Sequence, residues 1–218
     1  MCLRRSRVAI IRDHYQTLAA RSEFRQKIDR SEFLGIAFPI ESEDAFFAEF
    51  AALTKRHYDA THLCWAFRLF AGGDIRARSA DAGEPSGTAG KPILSAIEGA
   101  DLYDTAVIVV RWYGGVKLGT GGLSRAYRDT AAESLRVSSI EDRYVYQRFR
   151  ITVPFDQLGV VYRLIDAPHV MLASEHFGET NEFDFDVRRS RAEEFAKTLI
   201  EKRLHPRTSA SSADKSFR

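Results

Sequence analysis

Two rhythms of apolar residues run along this chain. Between Asp44 and Tyr58, Phe46, Phe50, Leu53 and His57 recur at helical spacing, which predicts an amphipathic helix starting near Ser42 or Glu43. Leu63–Phe70 and Asp104–Val110 are short apolar runs of strand length. The second is nearly uninterrupted, as expected of a central strand covered on both faces. The first lacks clean alternation, so one side is expected on a helix and the other on something mobile. Arg30–Gly35 leads into a strand-like run ending at Ile40, with Pro39 suiting an edge or a strand end because it has no N–H to donate. Helices are predicted over Ile93–Ile97 and Leu123–Val137. Residues 1–30 read as basic and irregular, with a short helix carrying Tyr15, Leu18 and Ala19.

A second set of elements follows a break at Ser138–Asp142. Tyr144–Val153 reads as a strand, Asp156–Asp166 as a helix and His169–Ser174 as a strand. In Glu182–Val187 the apolar Phe183, Phe185 and Val187 alternate with Glu182, Asp184 and Asp186, the period of a half-buried strand. Arg191–Leu204 closes as a helix with Ala192, Phe195, Ala196, Leu199 and Ile200 on one side. Strand–helix–strand–strand–helix is the order of a ferredoxin-like unit without its final strand. The tail from Pro206 is expected to be disordered.

Two stretches break these rhythms. Arg76–Lys91 is rich in Gly, Ala, Ser and Pro and is expected as a loop, bordered by the turn Ala71–Asp74. Arg111–Ser124 joins a strand pattern to a helix pattern through Gly114, Gly115, Gly119, Gly121 and Gly122. So many glycines imply unusual backbone angles or close approach of another group. Arg111 and Lys117 make the turn cationic, and helix-start N–H groups would add positive charge. The stretch therefore reads as an anion or phosphate cradle, or as a tight buried crossover whose glycines serve packing alone. It is neither the nucleotidase phosphate loop nor the dinucleotide fingerprint, since Ser124 stands where the latter needs its third glycine.

Bulk composition narrows the classes. The 218 residues suit one large or two small domains, with 44% hydrophobic content and a formal charge of +2. This balance argues against a general polyanion coat and leaves room for a local basic patch. Cys2 and Cys64 make no disulfide framework, and His62 with Cys64 has no second ligand pair at zinc spacing. No apolar run approaches a membrane span, and the one near the start breaks at Arg12 and Asp13, too early for a signal peptide. A cytoplasmic protein is expected, with no membrane partner.

If the two glycine-bearing loops meet, they enclose a cleft bearing Glu84, Ser86, Thr88, Lys91, Arg111 and Lys117. Cations would pair with phosphate oxygens, while Ser86, Thr88, Thr120, Ser124 and the amides of Gly114, Gly115, Gly119, Gly121 and Gly122 would donate hydrogen bonds. Asp81 and Glu84 would equally well neutralise those cations in a resting fold. Trp112 and Tyr113 are candidates for stacking on unpaired bases, although successive strand residues face opposite ways and one of the two belongs in the core. Arg125 and Arg128 extend a positive helix face or simply a solvated one. Arg4, Arg5 and Arg7 add a basic start. Ser86 would need a base such as His62 within reach to act as a nucleophile, and no strained Gly-x-Ser-x-Gly elbow is present. Asp81 and Glu84 are a weak pair for a hard cation. No catalytic residue, metal ligand or cofactor is assigned.

These motifs resemble those of the YigZ/IMPACT family, bacterial two-domain type. The resemblance lies in Val109–Leu123 with Arg125-Ala-Tyr127, and in Asp81-x-Gly-Glu-Pro-Ser-Gly-Thr-Ala-Gly-x-Pro92. Arg30-Ser-x-Phe33 and His62-x-Cys64-x-Ala66 resemble weaker family blocks. The resemblance implies an α+β protein. Its amino-terminal domain (25–139, after a flexible segment 1–24) would be similar to ribosomal protein S5 domain 2 and to domain IV of elongation factor G. Its carboxy-terminal domain (144–205, before a tail 206–218) would be ferredoxin-like, similar to the factor's domain V. It implies a non-enzymatic protein associated with nucleic acid or the ribosome, in regulation of translation. The alternatives are a small-molecule phosphate-ester enzyme or sensor at the same cleft, and a protein-interaction adaptor. The partner of eukaryotic members, bound through a further domain absent here, does not transfer. A loose link of relatives to proline peptidase activity finds no metal-ligand set in this sequence.

Overall fold

The structure is a computed structural model that describes residues 13–71 and 74–209. It is an α+β fold in two compact units, one spanning Tyr15–Asp142 and the other built mainly on the chain from Arg143 onward.

The larger unit is organised on a five-stranded antiparallel sheet in the order β2-β3-β6-β4-β5. Its strands are β2 (Ser22–Ile28), β3 (Ser31–Pro39), β4 (His62–Ala71), β5 (Asp74–Ala80) and β6 (Thr105–Trp112). Strand β6 is central, and its burial explains its apolar run. Val107 and Val109 face a core that includes residues of α2 (Gly90–Gly99) and α3 (Gly119–Arg136), while Ala106, Ile108 and Val110 face a core containing Phe46 and Leu53 of α1 (Glu43–Arg56). Strand β4 is divided in the same way. Cys64 and Ala66 lie on the α2/α3 side, and Trp65, Phe67 and Leu69 lie on the α1 side, where the Phe46 ring packs tilted against both Trp65 and Phe67, its centroid 4.9 Å from each. Its second side is therefore packed rather than covered by something mobile.

Three local expectations change. The stretch carrying Tyr15, Leu18 and Ala19 is not a helix: β1 (His14–Leu18) pairs with β7 (Ile140–Tyr144), and β2 follows it. Arg76–Ala80 is not loop but part of β5, the sheet's edge strand, whose exposed middle tolerates Arg76 and Arg78. Pro39 does take the strand-end position expected of it, closing β3, an inner strand. Helix α2 begins before Pro92, at Gly90.

The second unit carries β8 (Tyr146–Val153), α4 (Leu158–Ile165), β9 (Val170–His176), β10 (Asn181–Arg188), α5 (Ala192–Glu201) and β11 (Arg207–Ser209). Its sheet order is β11-β8-β10-β9. A final strand thus exists, contrary to expectation. It is three residues long, pairs antiparallel with Arg148–Arg150, and follows Pro206 without any apolar run to announce it. The alternating residues Phe183, Phe185 and Val187 are buried, while Asp184 and Asp186 form two-pronged pairs with Arg150 and Arg148. Arg4, Arg5 and Arg7 lie outside the described residues.

Candidate functional site

Strand register places the first site residues. Phe33 of β3, Arg111 of β6 and His62 of β4 pair side by side across three strands. Cross-strand partners share a face, and Arg111 continues the Val107–Val109 row that faces α3. A cation is thereby carried to the end of an apolar row. Its guanidinium lies over Phe33, 5.3 Å from the ring centroid, and over Tyr113 at 5.4 Å.

The loop between β5 and α2 supplies the counter-charge. Glu84 Oε1 accepts from Arg111 at 2.5 Å and from the Tyr127 hydroxyl of α3 at 2.8 Å, and His62 Nε2 lies 3.9 Å away. The side chains of Glu84 and Arg111 are only 4% and 5% exposed. Arg111 also donates to Ser31 Oγ, while its Nε has no hydrogen-bond partner among the described residues. Burial pushes the Tyr127 hydroxyl far above its ordinary range, so it stays a proton donor to Glu84. Burial likewise pushes the Cys64 thiol up to about 12, and the thiol donates to the Asp81 carbonyl.

The same loop closes on α2. Asp81 accepts from the N–H groups of Gly87, Ala89 and Gly90. Burial alone would raise its carboxyl, but these donors and Lys91 outweigh it and hold the group below its ordinary value. The amino end of α2 is thus occupied by the chain's own carboxylate. Helix α1 is capped by Ser42 and carries Glu43 and Asp44 in its first turn. Helix α3 differs from both. No side chain caps it, its first turn holds no acidic residue, and it opens with Gly119-Thr-Gly-Gly122. Its leading amides therefore remain available.

The loops do meet. Thr61, His62, Glu84, Pro85, Arg111, Tyr113, Lys117, Leu118, Gly119, Thr120 and Leu123 line one pocket of about 470 Å³. Its floor holds the buried Glu84, Arg111 and Leu123, and its rim the exposed Tyr113, Lys117 and Thr120. Arg111, expected as an open cation, is sealed against Glu84, whereas Lys117 has no acidic partner among the described residues. Trp112 faces the opposite side of the sheet, where Nε1 donates to Asp59 and Arg25 lies over the ring.

The other sequence candidates are distributed as follows. Thr88 is buried and donates to the Pro85 carbonyl. Ser86, Lys91 and Arg125 are exposed and lie outside the lining, as do Gly114, Gly115, Gly121, Gly122 and Ser124. Gly114 has a separate reason to be glycine, because a Cβ there would overlap the Arg30 backbone. Gly119 adopts φ +68 as the chain enters α3. His62 makes no hydrogen bond to Ser86; its Nδ1 donates to the Ala82 carbonyl. Arg128 pairs with its neighbour Asp129, away from the pocket. Among the described residues, no group of three or more His, Cys, Asp or Glu is placed to hold a metal ion. Nor is any helix among them long and apolar enough to cross a membrane.

The pocket lies within a recognisable sequence block. A family model described as the Impact N-terminal domain matches residues 29–135, and one described as a domain of unknown function, DUF1949, matches 151–202. An IMPACT family member from Haemophilus influenzae is 33% identical over 180 residues, covering 82% of this chain and 87% of that protein. The chain belongs to the IMPACT family. Another IMPACT family member, from Thermus thermophilus, is 43% identical over 143 residues, covering 66% of this chain and 76% of the relative. A crystal structure of a hypothetical protein superposes on this IMPACT chain with a TM-score of 0.65 at 26% identity, covering 90% of this chain and 97% of that one.

Proposed function

We infer that this protein is a non-enzymatic RNA- or ribosome-associated factor, cytoplasmic and acting in translation, that receives an anionic group of the RNA in the pocket between the two glycine-bearing loops. The observation that carries this reading is the uncapped start of α3 beside Lys117. Free helix-start amides and an ammonium without an acidic partner among the described residues form one positive rim. Tyr113, 44% exposed on that rim, adds a ring on which an unpaired base can stack. The β8-α4-β9-β10-α5-β11 order supports a ferredoxin-like reading of the second unit, in keeping with elongation factor G domain V. The larger unit is read as similar to ribosomal protein S5 domain 2.

Filter binding to single-stranded and structured RNA over a series of salt concentrations tests the proposal. Salt-sensitive binding that weakens in Lys117→Ala and Tyr113→Ala supports it. Binding that is absent, or unchanged in both variants, refutes it. A second reading, a sensor or enzyme for a small phosphate ester, draws on the pocket volume of about 470 Å³, which suits one small ligand. Thermal stabilisation by a free nucleotide without any RNA binding would favour that reading.

A further inference from the structure

The pocket is polarised from rim to floor. Its rim donates, through Lys117, Thr120 and the first amides of α3. Its floor accepts. All three contacts of the Glu84 carboxylate fall on Oε1, from Arg111, Tyr127 and His62. Oε2 has no hydrogen-bond partner among the described residues and is not sealed from solvent, and the side chain that carries it lines the pocket. His62 adds to this. A carbonyl oxygen can only accept, so the Nδ1 proton points to Ala82, and Nε2 is the ring nitrogen turned toward Glu84, 3.9 Å from Oε1.

A ligand that fills this pocket must place an anion at the rim and hydrogen-bond donors at the floor. A terminal phosphate thrust inward would meet the Glu84 carboxylate, and an apolar tip would leave Oε2 unpaired at a cost. A ribose 2′,3′-diol attached to a 5′-phosphate meets both demands. The diol donates to a carboxylate, as acidic residues do to ribose hydroxyls in other folds, while the phosphate lies against Lys117 and the α3 amides. The volume suits one such unit rather than a run of several.

We propose that the pocket binds a nucleoside 5′-phosphate unit with its free 2′,3′-diol on Glu84 and its phosphate at Lys117 and the start of α3, and that the RNA it receives is therefore held by its 3′ end. The last clause rests on the RNA reading above; recognition of the diol does not.

The test uses the full chain and one single-stranded oligoribonucleotide labelled at its 5′ end. Its 3′ nucleotide carries either the diol, a 2′,3′-dideoxy sugar or a 3′-phosphate, and an internally labelled circular form has no end. AMP and 2′,3′-dideoxy-AMP serve as competitors. The diol end is expected to bind about tenfold tighter than the dideoxy and circular forms, the effect of one hydrogen bond to a charged group, with the 3′-phosphate weaker still. Because these arms use the unaltered protein, they do not depend on how Glu84 variants fold. Thr120→Asp, an exposed change at the rim, is expected to weaken every RNA while keeping the diol preference. Equal affinity for all four RNAs with intact salt dependence overturns end recognition and leaves the RNA reading standing. No RNA binding, with AMP favoured over dideoxy-AMP, overturns the RNA reading and keeps diol recognition. No preference in either series overturns the proposal.

Discussion

The Tyr127 hydroxyl donates to Glu84 Oε1 at 2.8 Å, tying the loop after β5 to the middle of α3. The same oxygen accepts from Arg111. One carboxylate oxygen thus joins a loop, a helix and the central strand. Removing the carboxylate strands a buried guanidinium. Glu84→Ala is expected to cost about 3–5 kcal/mol, as breaking buried ion pairs does. Tyr127→Phe leaves the pair intact and is expected to cost about 1–2 kcal/mol, the range of a single buried hydrogen bond. Urea unfolding of both variants measures the difference, and equal losses would contradict the arrangement. Arg111→Ala is consequently a poor probe of ligand binding, because it acts first on folding.

Binding variants belong on the rim. Lys117→Ala is expected to weaken RNA binding uniformly across sequences and to reduce the slope of log affinity against log salt by roughly 0.7–0.9, the value for one phosphate contact. Tyr113→Ala is expected to cost about 1–3 kcal/mol of binding with the slope unchanged, since it removes stacking rather than charge. Salt titrations of the two variants separate these effects.

Much of this was legible in the chain. The Asp104–Val110 run announced a strand covered on both faces, and it is the sheet's centre. The glycine-bearing loops announced the pocket, and Glu84, Arg111, Tyr113, Lys117, Gly119 and Thr120 line it. What escaped has physical reasons. Strand β5 exposes most of its residues at a sheet edge, and the alternation of Ile75 and Ala77 with Arg76 and Arg78 is too short and too weakly apolar to mark it. Strand β11 is held by ladder hydrogen bonds that leave little trace in residue type. His62 reads from the sequence as a base for Ser86 or half of an incomplete zinc pair, not as a neighbour of Arg111. Its place beside Arg111 follows from register between strands distant in sequence, which no local pattern encodes. Tyr127 lies within the family-like block, but its role depends on a loop some forty residues earlier.

Acid should loosen the fold through specific carboxylates. Asp81 lies below its ordinary value of 3.8 for the reasons given above, and Asp184 does so because of Arg150, helped by Ser174 against burial. A carboxyl depressed in the folded state adds stability above its unfolded value, and that stability is lost as pH falls through the folded one. Stability should therefore decline below about pH 4, where unfolded carboxyls begin to take protons that the native ones refuse. In Asp81→Asn the decline should be shallower and begin from lower neutral stability. Chemical unfolding from pH 6 to 2 reads both.

Glycines in the same turn should respond oppositely to alanine. Gly114→Ala drives a methyl into the Arg30 backbone and is expected to destabilise by about 1–3 kcal/mol. Gly121 sits in α3 with open space around it, so Gly121→Ala should stabilise by up to about 1 kcal/mol. Thermal melts of the pair provide the check.

Cys64, with its thiol pushed up to about 12, should resist alkylation in the native protein at pH 8 and react once unfolded. Peptide mapping after brief iodoacetamide treatment shows whether it does.

Asp81 has one more effect. By stoppering α2 it leaves α3 as the one vacant helix start among the described residues of the larger unit. A carboxylate built into the backbone's path thus acts as a permanent decoy guest, and a visitor has one berth to choose rather than two. Unplugging α2 would split that choice, so loyalty to one docking point is written partly in a residue that never meets the ligand.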